Sequence, residues 1–447
     1  MKSNRISILG RGVAVAALAG MLGACGIFGG GETKTTPTIG ERKPVLSRIE
    51  SGAKVDPALA GVAVVLPTAQ TNSEWAQAGG TADKAYGHLT LADHPASAWT
   101  VQIAGGGERR KLASAPVIGG GALFAVDTEG VVHAFDAQTG ARRWSHRMEL
   151  AGNVRNAAFG GGVSYNDGRV YATNGVGQVI ALDAGTGSEI WKKQPAGPLR
   201  GAPTLAFNSV YVMTQDNQIH ALNAATGETQ WNESGSQAQA GVFGVATPAA
   251  GQGTVIAGYS SGELAAYRYE NGRVLWSDAL ARTSISTEVG SLTDIDADPI
   301  IDSGSVYALG QGGRMAAYEL VTGQRQWELN VAGISTPAVA GEWIFALTDD
   351  ARLLAIARAT GKVRWITQLQ RYRDEEDKED PIFWTGPVLA GNNLWVASTQ
   401  GEIYKISVGE GSASLFTDLE TPVSLPPVVA NNTLYLLDDG GTIHAFR

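Results

Sequence analysis

The chain has 447 residues, 44% of them hydrophobic and 17% charged, with 58 glycines and a formal net charge of −9. Such a composition excludes a disordered polymer and describes a large, turn-rich fold with a sizeable core. The balance falls to about −12 once the leader's Lys2, Arg5 and Arg11 are removed, and an acidic surface of that kind excludes a nucleic-acid partner.

Residues 1–24 read as a signal peptide. Basic Lys2, Arg5 and Arg11 precede an apolar run from Gly12 to Ala24, too short to span a bilayer. The run ends in Leu22-Gly23-Ala24-Cys25, which resembles the lipobox of bacterial lipoproteins and implies cleavage before Cys25 and acylation of that residue. Two or more acyl chains anchor a protein stably, at about 0.8 kcal/mol per buried methylene. Gly26 stands where an Asp would resemble the inner-membrane retention signal, so the expected location is the outer membrane, facing the periplasm. Cys25 is the sole cysteine, which leaves no structural disulfide and no thiolate metal site in the mature chain. Residues 25–74 then read as the lipidated cysteine and a flexible, Gly-, Thr- and Pro-rich tether, with the stretch from Val45 to Pro67 expected to lie on the compact fold rather than form a domain.

The rest, residues 75–447, is built on one repeated stretch. Val131 to Trp144 alternates apolar and other residues, passes through Asp136-Ala137-Gln138-Thr139-Gly140, and enters a second short strand that ends on Trp144. Asp136 and Thr139 can bond turn backbone, and Gly140 can adopt the positive φ that closes such a hairpin. The pattern returns at Val179–Trp191, Ile219–Trp231, Leu264–Trp276, Met315–Trp327 and Leu353–Trp365. Successive turn glycines (Gly140, Gly187, Gly227, Gly272, Gly323, Gly361) are separated by 47, 40, 45, 51 and 38 residues. A degenerate copy ends at Gly411 with Leu415 in the Trp slot, and an eighth stops at Phe446-Arg447. A period of this length made only of strand and turn signals predicts an all-β, eight-bladed β-propeller. The eighth copy lacks an outer strand, whereas Ala98–Ile103 is strand-like and carries an unassigned Trp99. Pairing the two closes the ring and covers both exposed edges.

The Ala-x-Asp-x-x-Thr-Gly-x-x-x-Trp repeat resembles the docking motif of the pyrroloquinoline-quinone (PQQ) type propellers, in which Trp packs between adjacent blades. That resemblance assigns a blade-docking role to Trp99, Trp144, Trp191, Trp231, Trp276, Trp327 and Trp365. Lipobox, tether and eight repeats together resemble the BamB lipoproteins of the outer-membrane β-barrel assembly (BAM) machinery. Thr287-Glu288 through Leu292, Asp294, Asp296 and Pro299 resembles a loop of that family whose acidic pair docks a periplasmic POTRA domain of BamA, which implies that role for Asp294 and Asp296. In an extended chain residues 294, 296 and 298 point to one side and need a positive partner. Read without the resemblance, they are solvated turn acids before a strand. A calcium loop is excluded because Pro299 and Ser305 replace its required Gly and bidentate Glu. The family's second docking element corresponds to Gln239–Pro248, where Val242 and Phe243 keep an apolar contact and no Arg is present; both residues read equally as buried strand positions.

Arg371 to Asp380 is too charged to pack and reads as a mobile surface loop, with a second docking site as the other reading. His133, His220 and His444 occupy one slot in three different blades, which assigns them lattice positions and not a shared metal. No Ser-His-Asp order, P-loop or HExxH is present, so no catalytic, cofactor-binding or metal residue is assigned. The expected function is a non-enzymatic scaffold that binds BamA, other BAM components and nascent outer-membrane proteins. The alternative is a periplasmic PQQ-dependent dehydrogenase-like or small-ligand-binding propeller, against which the absent vicinal disulfide counts.

Overall fold

The computed structural model describes residues 53–107, 110–150, 159–199, 201–236, 246–280 and 294–447. Among these, eight four-stranded antiparallel sheets follow one another as blades. Blades 1 to 7 comprise residues 117–147, 163–193, 204–234, 249–279, 300–329, 338–368 and 384–418. In blade 8, Ser97–Gln102 pairs with Thr442–Phe446 as the outer strand, Trp99 standing opposite Ala445. The ring is therefore closed by the pairing expected from the missing strand.

Each blade buries its two middle strands on both faces, which is why Ala122–Val126, Val170–Thr173 and their counterparts are near-continuous apolar runs. In the outer strands of blades 2 and 3 the Trp is the one buried residue among mostly exposed neighbours. Opposite each of these Trp residues stands an alanine: Ala134 for Trp144, Ala181 for Trp191, Ala221 for Trp231. At that pair the ladder register shifts by a bulge, and the small Ala leaves room for the indole to swing out toward the neighbouring blade.

The indole then lies on the turn glycine of the next blade. A Cβ added to Gly187 would sit 2.6 Å from Trp144, one on Gly272 2.7 Å from Trp231, and one on Gly140 2.8 Å from Trp99. These glycines also hold φ between +70° and +74°, so both the backbone and the close approach require glycine. From Trp144 to Trp365 each indole nitrogen donates to a carbonyl of the next blade, such as Ala184, Tyr269 or Val408, at 2.8–3.0 Å. Beside Trp99 that carbonyl belongs to Ala137, and the Tyr435 hydroxyl donates to it instead.

The seam between blades 7 and 8 is built differently. Tyr404 and Leu415 replace the Ala and Trp, and Leu415 is 52% exposed. Phe416 fills the seam, edge-on to both Trp395 and Phe446. The chain before the closing strand crosses here as well, with Asp93 paired to Lys405 and bonded by Asn393.

Part of the stretch Val45–Pro67, expected to lie on the compact fold, does so ahead of the boundary at residue 75. At Ala53 the chain is already buried, Asp56 pairs with Lys362, and Arg364 donates to the Val62 carbonyl. Residues 53–62 thus run along the outer strand of blade 6. The charged stretch expected to be a mobile loop is a two-stranded ribbon, Tyr372–Asp374 paired with Glu379–Pro381, whose turn is capped by the Asp374 carboxylate accepting from the Glu376 and Asp377 amides. Apart from half-buried Tyr372 its residues are exposed, as the charge density required.

Two outcomes follow from the interlock and its turns. Trp276→Ala should lower stability by about 3–5 kcal/mol in urea unfolding, through lost burial and the cavity left beside Gly323. The carboxylates of Asp136 and Asp183 are held below their ordinary value, Asp136 at about 2 chiefly by Arg143 and Asp183 by the Thr186 hydroxyl and amide. Their stabilisation is present above the unfolded carboxylate range and lost as pH falls toward the folded values, so melting temperature should drop between about pH 5 and pH 2. Asp183→Asn, which copies Asn223 in blade 3, should flatten that decline.

Candidate functional site

The axis of the ring is a funnel, and its two ends differ. Across one end runs a strap, residues 67–91, that touches the innermost strand or its turn in all eight blades. Trp75 exchanges backbone bonds with Ile118 in blade 1, and the Ala76 carbonyl accepts from Tyr165 in blade 2. The Gln77 amide brackets the backbone of Leu205 in blade 3. The carbonyls of Ala82 and Asp83 accept from Ala250 and Ile301 in blades 4 and 5. Pro67 covers Gly341 in blade 6, Leu89 bonds Leu389 and Gly391 in blade 7, and Asn72 bonds Val429 and Asn431 in blade 8. Backbone edges that would otherwise be orphaned at the axis are satisfied by this one segment.

Lys84 is the strap's anchor. It is fully buried, and its ammonium donates to the Ala78 carbonyl at 2.8 Å and lies 3.4 Å from the Thr204 hydroxyl. Burial pushes the Lys84 ammonium below its ordinary value, while the charges of Asp298 and Asp83 pull it back up. Burial equally pushes Asp298 above its ordinary value, opposed by Lys84 and by the Thr247 amide that donates to its carboxylate at 2.7 Å. The positive answer to this carboxylate is therefore inside the chain.

The other end of the funnel opens into a cavity of about 530 Å³. Its floor is Trp75, Gly79 and Tyr86 of the strap, and its walls come from the segments that enter blades 1, 3 and 4 to 8. Of the acids that an extended chain would place on one side, Asp294 is only 1% exposed, and its backbone carbonyl accepts from Gln311. Ile295 and Ala297 are buried as well, and Asp296 is half-buried on the funnel wall. A body approaching the mouth meets Asp296 ahead of Asp294. Val242, Phe243 and Cys25 lie outside the described residues.

The lattice histidines His133 and His444 are held within their own blades: His133 bonds Asp127 at 2.8 Å and His444 bonds Asp438 at 3.0 Å. Among the described residues no group of three metal-ligating side chains is assembled. PQQ, a tricarboxylate, does not fit the funnel either, since among the described residues Lys111 is the lone cation on the walls, against Asp296, Asp298 and Asp439. Sequence reasoning missed Trp75 and Lys84 of the strap, and the rim residues Ile334 and Phe383. A lysine isolated in the small-residue stretch Ala76–Gly87 was the available signal for the strap.

Ring, repeat and interlock define an eight-bladed propeller of the PQQ-repeat type. A family model described as outer membrane protein assembly factor BamB matches residues 128–367, more than half the chain, and the protein belongs to that family. The BamB of Yersinia pestis is 26% identical over 79% of this chain and 88% of its own length. That of Escherichia coli K12 is 26% identical over 78% and 88%. In fold, the chain resembles the crystal structure of BamB from Moraxella catarrhalis, with a TM-score of 0.66 at 20% identity over 79% of this chain and 99% of that one. It also resembles quinohemoprotein alcohol dehydrogenase from Comamonas testosteroni, with a TM-score of 0.64 at 15% identity over 85% and 81%.

Removing the buried lysine exposes its role. Lys84→Met should destabilise the protein by about 1–3 kcal/mol, because the Ala78 carbonyl loses its donor and the burial of Asp298 is no longer offset by a nearby positive charge. Adding Asp298→Asn to Lys84→Met should recover much of the loss, a coupling that urea unfolding of the four-member mutant cycle reads directly.

Proposed function

We propose that this protein is a non-enzymatic scaffold of outer-membrane protein assembly, held to the outer membrane by acylated Cys25 and docking a POTRA domain of BamA on the face where the funnel opens. The observation that carries the reading is membership of the BamB family together with a rigid ring whose strapped end leaves the opposite face for partners. Loops fixed on interlocked blades lose little entropy on docking, which suits a scaffold. The loop acids Asp294 and Asp296 and the apolar Val242 and Phe243 belong to the segments that lead into blades 5 and 4. The partial exposure of Asp296 makes it the carboxylate a partner's Arg or Lys reaches first, with Asp294 supporting the loop from beneath. Other BAM components and nascent outer-membrane proteins are further partners of the assembled complex.

Co-purification with BamA from detergent-solubilised envelopes tests this reading. Asp296→Arg should reduce recovery of BamA several-fold while the melting temperature stays near wild type. Asp294→Arg is unsuitable alone, since it forces a guanidinium into a buried site. Undiminished recovery with Asp296→Arg would remove the assigned contact, and failure of the unmodified chain to retain BamA would remove the function.

A further inference from the structure

The funnel mouth carries a feature that POTRA docking through Asp296 does not use. On the side of blades 6 to 8 its rim is apolar: Phe383 is 63% exposed and Ile334 46% exposed, and both border the cavity beside Leu425. An exposed Phe next to a concave apolar wall is a binding feature rather than ordinary surface scatter. The Phe383 backbone is fixed on both sides, its amide donating to the Thr399 hydroxyl and its carbonyl accepting from the Thr399 amide. The ring is thus presented by a rigid base. From the same base rises the charged ribbon, anchored by the Trp384 indole donating to the Gln370 carbonyl and by the Ile382 amide donating to the Arg371 carbonyl. Between Arg371 and Asp380 six carboxylates stand against three cations, and Glu376, Asp377, Glu379 and Asp380 are all exposed. Asp296 and Asp439 add negative charge to the cavity wall.

We propose that this side of the mouth binds an extended polypeptide segment that carries a bulky apolar residue flanked by lysines or arginines. The size of the cavity points to a segment: about 530 Å³ admits a few side chains and no folded domain. Its charge selects the flanks, because an acidic ribbon beside an apolar pit attracts basic chains and repels anionic lipid and nucleic acid. The apolar residue enters against Phe383, Ile334 and Leu425, and the basic flanks lie along the ribbon.

The test uses the whole mature protein and a dye-labelled octapeptide, Lys-Lys-Ser-Trp-Leu-Ser-Lys-Lys, followed by fluorescence anisotropy. Saturable one-to-one binding is expected, weakened about tenfold or more by Phe383→Ser and by the pair Glu376→Lys with Asp377→Lys, and weakened by added salt. Replacing the peptide's Trp-Leu by Ser-Ser, or its lysines by glutamates, should abolish binding. All variants are surface changes and should melt with the wild type. No saturable binding, or binding indifferent to both Phe383→Ser and the ribbon reversal, overturns the proposal. Self-association of the protein that Phe383→Ser abolishes also overturns it, by assigning the rim to a second copy. BamA co-purification is measured on the same variants; its survival with Phe383→Ser separates this site from the POTRA contact.

Discussion

Seven indole rings, each lying against a turn glycine of the following blade, are the contact on which the rest of the molecule depends. A single four-stranded sheet of this length has two apolar faces and cannot bury them alone. The Trp joins neighbours in two ways at once, by apolar contact with a surface that glycine leaves flat and by a hydrogen bond from its nitrogen to a fixed carbonyl. Stability is therefore shared around the ring, blade to blade, as in other repeat architectures. The seam where no indole lies on a turn glycine is the one where the amino-terminal chain crosses, and the ring is fastened there by Phe416 against Trp395 and Phe446, the Asp93–Lys405 pair and the closing strand.

The strap gives this ring its polarity. By contacting the innermost strand or turn of every blade it spans the axis, and the buried Lys84 holds its middle through the Ala78 carbonyl and the Thr204 hydroxyl of blade 3. One end of the funnel becomes a floor, the other a mouth. The segments entering the blades line that mouth. Acidic groups at Asp296, Asp439 and the ribbon set its sign, and Phe383 and Ile334 give it an apolar edge.

Most of the ring was legible in the sequence because its determinants are local. An Asp, a Thr, a positive-φ Gly and a Trp at fixed spacing encode a turn and an interlock without reference to the rest of the chain, and the orphaned Trp99 betrayed the closing strand. The strap was illegible for the opposite reason. Its partners are mostly backbone groups in eight distant places, and backbone bonds leave no mark on side-chain pattern. Lys84 looked like any isolated lysine, since its acceptors are a backbone carbonyl and, in distant blade 3, a hydroxyl. The acidic loop was legible in part: period two placed Asp294, Asp296 and Asp298 on one side, and Asp296 and Asp298 both line the funnel wall, whereas Asp294 lies in the interior. In the charged ribbon, charge density correctly implied exposure, but Asp374 capping supplied a turn that composition alone does not show.

Amide hydrogen exchange, followed by mass spectrometry on the mature protein, tests the strapped ring most directly. Residues 75–91 should exchange as slowly as the inner strands of the blades, opening only with the whole ring. Rapid exchange of that segment while the blades stay protected would contradict the account, because the floor of the funnel would then be a loosely held tail and neither face would be closed.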